Sequence, residues 1–182
     1  MKKTILRILP RLLPAGALFL PLGSLTISLG ALFEKPTSYN IVQLVKTFGG
    51  QGNELFLNLL KGDAMAPAIP WLVVSIVGLV LGILAVFAGL ALPWKESIKL
   101  DAASAAVYAG GTAGVTLAMI AFPQFGSMLL QAVRIASASL GYGVWILLAL
   151  LLLNTAICFY RWRTEKEKAR LAALAKKQKR KR

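Results

Sequence analysis

Four stretches of this chain, residues 12–33, 71–94, 102–122 and 141–160, contain no Asp, Glu, Lys or Arg, and each is at least 20 residues long. About 20 apolar residues in an α-helix cross a hydrocarbon core of ~30 Å. A bilayer has no water to satisfy unpaired amides, so a crossing segment is a helix or part of a closed barrel. Composition agrees with insertion. Of 182 residues 57% are hydrophobic, and the mean hydropathy is +0.69, beyond the usual range of a soluble domain. The expectation is an all-α integral membrane protein with four transmembrane helices in a bundle, two amphipathic outer loops and a helical basic C-terminal tail. Residues 1–163 form the membrane domain in this reading, with a large outer loop at 34–70, and residues 164–182 form the tail.

Small residues recur at helical spacing. Ala102, Ala106, Gly110, Gly114 and Ala118 fall every fourth position, Gly16, Gly23 and Gly30 every seventh, and Ser75, Gly78, Gly82, Ala85 and Gly89 at threes and fours. In lipid, water expulsion does not drive helices together, so close backbone approach at small residues has to. The predicted packing residues are therefore Gly16, Gly23, Gly30, Gly78, Gly82, Ala106, Gly110, Gly114 and Asn154. Asn154, the most polar residue of its run, is expected to hydrogen-bond across to a neighbouring helix. Glycine stripes on several segments of one chain favour packing within the chain over self-association and leave a homo-oligomer open.

Pro14 and Pro21 interrupt the first run, and Ser24, Thr26 and Ser28 are the nearby hydroxyls for the carbonyls that proline frees. The basic start and apolar run resemble a signal peptide, but the run exceeds the usual h-region and no A-x-A pattern follows, so it is read as a retained helix. In residues 34–70, Ile41, Leu44, Val45 and Phe48, and then Phe56, Leu59 and Leu60, follow helical spacing around a Gly49-Gly50-Gln51-Gly52 hinge. That turn lacks the spacing of a phosphate loop. Tryptophans 71 and 94 bracket the second run as interfacial belts. Phe125, Leu129, Val133 and Ala136 predict a second interfacial helix, with Arg134 at the outer surface. Strong helix formers continue the last run into the tail without a Gly or Pro after Gly143.

Basic residues near span ends mark the cytoplasmic side. With both termini inside, seventeen Lys and Arg lie on the inner side and four outside. This predicts an even number of crossings and a multi-pass protein of the plasma (inner) membrane, both termini cytoplasmic. The layout resembles that of claudin-like tetraspan proteins, as topology over the whole chain. The tryptophan and paired cysteines that those proteins carry in the first outer loop are missing from residues 34–70. No residue role or barrier function follows.

The chain has no histidine, and Cys158 is its one cysteine, so it can assemble neither an internal disulfide nor a Cys/His metal site. No cofactor is expected. Cys158 is read as an inert thiol, with palmitoylation as the alternative. Lys95, Glu96, Lys99 and Asp101 are the one compact charged group and are read as solvated, so an enzyme is not expected. The functional expectation is a non-catalytic scaffold or accessory subunit of a membrane complex, meeting a membrane protein through its outer loops. Lys176, Lys177, Lys179, Arg180, Lys181 and Arg182 would contact anionic lipid at the inner surface, with RNA or the ribosome as a less favoured partner of the same charges. The alternative is a small oligomeric transporter or pore, lined by Ser75, Thr112, Thr116 and Asn154, without the intramembrane carboxylate that four-helix multidrug exporters use.

Overall fold

The computed structural model describes residues 2–28, 34–40, 42, 43, 46, 65–93, 97–133 and 136–179. The chain is mostly helical. Its elements are α1 (Lys2–Ala17), β1 (Gly23–Ser28), β2 (Glu34–Tyr39), α2 (Ile69–Ala91), α3 (Ile98–Val133), β3 (Ala136–Leu140) and α4 (Tyr142–Lys179). Three helices, α2, α3 and α4, are long and apolar enough to cross a membrane.

Helix α2 sorts its residues by size. Its buried side carries Leu72, Ser75, Gly78, Gly82, Ala85, Val86 and Gly89, so all five small residues of its predicted face are inside. The outer side carries Val73, Ile76, Val77, Val80, Leu84 and Phe87, all exposed. A helix that is apolar all round, with small residues inward and large ones outward, is suited to lipid.

The small side of α2 meets α3. A Cβ on Gly78 would run into the Gly114 carbonyl and lie 2.9 Å from the Ala118 nitrogen. One on Gly114 would lie 2.7 Å from Leu81 Cβ and 2.8 Å from the Gly78 oxygen. These two glycines let the backbones touch. The ridge from Ala102 to Ala118 is nevertheless not one packed face. At 3.6 residues per turn, each step of four drifts about 40°, and the five positions sweep roughly 160° around the helix. Gly114 and Ala118 are buried, whereas Ala106 and Gly110 are exposed, and a Cβ on Gly110 would meet nothing within 4 Å. The inward side of α3 is instead Asp101, Ser104, Tyr108, Gly111, Val115, Ala118, Ala121 and Phe125, at spacings of three and four.

The N-terminal segment departs from the single helix expected over 12–33. Helix α1 closes at Ala17, a tight turn follows in which the Leu20 N–H bonds the Ala17 carbonyl at 3.1 Å, and β1 begins at Gly23. Pro21 brings no N–H to a helix, and Ser-Leu-Thr-Ile-Ser suits a strand better, because hydroxyls compete for helical backbone and β-branched residues fit a pleat. Gly16 is exposed with nothing within 4 Å of a Cβ, and Gly23 lies in β1, where a Cβ would be 3.7 Å from the Ser139 carbonyl. Neither sits between helices, and Gly30 lies outside the described residues. The reach of α1 is fixed against α4. The Pro21 carbonyl accepts from the Gly143 N–H at 2.9 Å and the Leu22 carbonyl from the Gly141 N–H at 3.0 Å, while the Pro10 carbonyl accepts from Asn154 at 2.7 Å. The two segments therefore run antiparallel.

Strands β2 and β3, from two separate connecting segments, flank β1 in a sheet of order β2-β1-β3, antiparallel throughout. Ser24 and Ser139, opposite each other in register, share a hydrogen bond of 2.6 Å. The sheet packs on the C-terminal part of α3, where a Cβ on Gly126 would lie 2.6 Å from the Ala138 carbonyl. There is accordingly no separate second interfacial helix: α3 runs through Pro123 to Val133, and Ala136 belongs to β3. Phe125 and Leu129 join Met65, Ala68 and Leu72 in a second apolar cluster. In the first loop, Asn40 and Gln43 exchange reciprocal side-chain to backbone bonds of 3.0 and 2.9 Å, a capping box. The second expected loop helix, the 49–52 hinge and Arg134 lie outside the described residues.

Candidate functional site

Buried polar side chains gather where α1 meets the end of α2 and the first turns of α3. Arg11 is 6% exposed, donating to the Leu92 carbonyl at 3.2 Å and to Ser104 Oγ at 3.3 Å. Leu92 is the C-cap of α2, where carbonyls lack intrahelical partners and the helix dipole is negative. A guanidinium is well matched to that end. Asp101 stands in the first turn of α3 and is 2% exposed, at the positive end of its own helix. Asp101, Ser104 and Tyr108 follow at spacings of three and four, so they share one face. Tyr108 is fully buried over Gly89, where a Cβ would collide with its hydroxyl. Among the described residues, Asp101 Oδ2 and the Tyr108 hydroxyl are buried polar atoms without a hydrogen-bond partner.

Helix α4 completes the cluster with Asn154 and, one turn later, Cys158, both buried. Asn154 Nδ2 donates to the Pro10 carbonyl at 2.7 Å and to its own Leu150 carbonyl at 2.9 Å. The first bond has a specific cause. In a regular helix the Pro10 carbonyl would accept from residue 14, but Pro14 has no N–H. Asn154 replaces the donor that Pro14 lacks, a task expected of Ser24, Thr26 or Ser28, which instead lie in β1. The arrangement fastens α1 to three partners: Arg11 ties it to α2 and α3, and Asn154 ties it to α4.

In the sequence Arg11 reads as a topology signal and Asp101 as a cap for the helix that follows or a solvated turn residue, and nothing singles out Tyr108 or Ser104. Spacing held a partial cue, since Asp101, Ser104 and Tyr108 share a helix face. The partner on α1 lies more than 90 residues away, beyond the reach of any local pattern. The cluster also places one carboxylate, Asp101, inside the bundle rather than in a solvated turn.

Four hydroxyls elsewhere on the helices are bound locally. Ser75 donates to the Trp71 carbonyl, Thr112 to Tyr108, Thr116 to Thr112 and Thr155 to Leu151, at 2.7 to 2.8 Å. A hollow of ≈ 580 Å³ between α3, β3 and the start of α4 is mainly apolar, lined by Ile120, Phe122, Trp145 and Leu148 among others. On α4, Phe159, Trp162, Arg163, Lys166, Glu167 and Arg170 line a shallow surface groove on one side of the helix. Lys166 Nζ stands 5.0 Å over the Trp162 ring, and Arg163 pairs with Glu167 at 3.6 Å. Lys176 is exposed, and Lys177 and Lys179 end the described helix. Arg180, Lys181 and Arg182 lie outside the described residues. Comparison of the chain with family models, curated proteins and solved structures finds no match.

Proposed function

We propose that the protein is a non-catalytic membrane scaffold, an accessory subunit whose bundle holds α4 in place and presents its basic extension at the inner membrane surface. One observation carries this reading: α4 is unbroken from Tyr142 to Lys179, packed in its first half and exposed from Lys166 to Lys176. At 1.5 Å per residue it is about 57 Å long, roughly twice a hydrocarbon core. In this reading α1 with its turn makes the fourth crossing, in register with the first turns of α4, and both termini face the cytoplasm. The loop-built sheet, with β2 and β3 at its edges, offers the outer surface to a membrane-protein partner.

The side of α4 bearing Phe159 and Trp162 and then Arg163, Lys166 and Arg170 fits a helix leaving lipid, with aromatic rings at the interface and cations among anionic headgroups. The anionic-lipid contact expected of Lys176 and the cations after it is extended in this reading to the collar. The pore alternative is weakened because its proposed lining hydroxyls are bonded within their own helices and Asn154 is committed to Pro10.

Purified in mild detergent from its host, the protein is expected to bring a stoichiometric membrane partner. Reconstituted alone into liposomes, it is expected to leave ion and small-solute permeability unchanged. Solute flux that rises with protein content would overturn the scaffold reading in favour of an oligomeric pore or carrier.

A further inference from the structure

We propose that the hollow between α3, β3 and α4 is a binding site for a neutral lipid with a free hydroxyl, of the class of a diacylglycerol. The inference lies beyond the scaffold reading and needs only that α3 and α4 cross a membrane. It starts from Pro123, which stands inside α3. In a regular helix the Met119 carbonyl accepts from the N–H of residue 123, and a proline has none. Met119 and Pro123 both line the hollow, so the carbonyl aimed from one toward the other lies along its wall. At Pro10 the same defect is repaired by Asn154. At Met119 no side chain among the described residues donates, and the hydroxyls of the lining are engaged elsewhere. Thr116 donates to the Thr112 carbonyl and Ser127 to the Gln124 carbonyl, each at 2.8 Å, and Ser139 is paired with Ser24 at 2.6 Å. A backbone acceptor facing hydrocarbon has no water to turn to, so the donor has to come from whatever fills the hollow.

The chemistry of the site selects among occupants. Met119 belongs to the uncharged run 102–122, and Trp145, a residue type of the interface, lines the same hollow. The carbonyl therefore lies near the level where glycerol joins the chains of a lipid. Phospholipids present ester oxygens there, which accept and do not donate. A glycerol carbon with a free hydroxyl supplies the missing proton, while its chains meet Ile120, Phe122 and Leu148. Size agrees. An apolar cavity of about 150 Å³ holds a benzene. At that density the ≈ 580 Å³ hollow takes roughly 20 non-hydrogen atoms, about a glycerol and one chain. A partner helix fits less well: a cylinder about 10 Å across and about 16 Å long, the span from Thr116 to Ser127, occupies about 1,300 Å³. Strand β3 also crosses its path, with the Ala138 carbonyl 2.6 Å from a Cβ on Gly126.

The test uses the full chain in phosphatidylcholine nanodiscs, with W71F, W94F and W162F leaving Trp145 as the fluorescent reporter. Quenching is measured with a chain-brominated diacylglycerol, with the same molecule methylated at its hydroxyl, and with a chain-brominated phosphatidylcholine, each at the same low mole fraction. The free hydroxyl should give an apparent affinity about 3- to 18-fold above the other two, the range that one hydrogen bond within a bilayer supplies. Pro123→Ala restores an N–H for the Met119 carbonyl and should abolish this preference. Equal quenching by the diacylglycerol and its methyl ether, a comparison that needs no change at the site, would overturn the proposal. So would an unchanged preference in Pro123→Ala. A photoreactive side chain at Ile120 that crosslinks to a protein in host membranes would overturn it in favour of a partner helix. The quenching does not depend on liposome flux, so failure of lipid binding and failure of the scaffold reading are told apart.

Discussion

The bond from Asn154 to the Pro10 carbonyl can be isolated by a double-mutant cycle, because the structure identifies why that carbonyl needs a partner. Asn154→Leu removes the donor and leaves a buried acceptor unsatisfied, a loss of about 1–3 kcal/mol in a soluble core. Interhelical hydrogen bonds in membranes average nearer ~0.6 kcal/mol, with maxima of about 1.7. Asn154 is 1% exposed and Pro10 is half-buried, so water replaces the lost donor at most in part. The expected cost is therefore about 1–2 kcal/mol. Pro14→Ala supplies the missing N–H, which can bond the Pro10 carbonyl within α1. In that background the same Asn154→Leu change should cost about 1 kcal/mol less. The assay is reversible unfolding in mixed micelles, followed by far-ultraviolet circular dichroism for all four proteins. A cost of Asn154→Leu that is equal in the two backgrounds would refute the assignment of Asn154 as the stand-in for the proline's missing donor.

Other positions give sharper contrasts. Gly114→Leu should destabilise the bundle by at least about 1–3 kcal/mol, because the side chain must displace Leu81 and the Gly78 backbone; Gly110→Leu should stay within about 0.5 kcal/mol, since its side is open. The same unfolding measurement reads both, and equal effects would refute the split ridge. Arg11→Met removes two charged hydrogen bonds, each about 1.5–3 kcal/mol, partly offset by relief of a buried charge. It should loosen α1 specifically, seen as faster amide exchange in residues 10–17 than in α2. Cysteine at Ser38 should react with an impermeant thiol reagent on intact cells and cysteine at Gln178 should not; the reverse pattern would invert the proposed orientation.

Local chemistry carried much of the helical architecture. Length and the absence of charge marked α2, α3 and the first half of α4, because a crossing helix must satisfy its backbone within one continuous apolar segment. The face of Ser75, Gly78, Gly82, Ala85 and Gly89 was legible for the same reason: on a straight helix, spacings of three and four keep residues on one side. The same logic misled where the step was a strict four, since Ala106 and Gly110 drift out of the interface that Gly114 and Ala118 occupy. Residues 23–28 and 136–140 did show strand alternation, Gly-Ser-Leu-Thr-Ile-Ser and Ala-Ser-Ala-Ser-Leu. Both lie beside apolar residues at helical spacing, so the first reads as part of a crossing helix and the second as part of an interfacial helix that includes Ala136.

By itself, then, the sequence determined the three long apolar helices, since hydropathy, length and helix propensity are properties of contiguous residues. Tertiary structure alone decided that β1 is held on both sides by strands from two separate loops. It also decided that Arg11 is buried at the end of α2 and that Asn154 answers for a proline 140 residues earlier. Each of these is a match between an unpaired backbone group or charge and a donor distant in the chain. Such matches depend on how the helices come together, and no local pattern of residues encodes them.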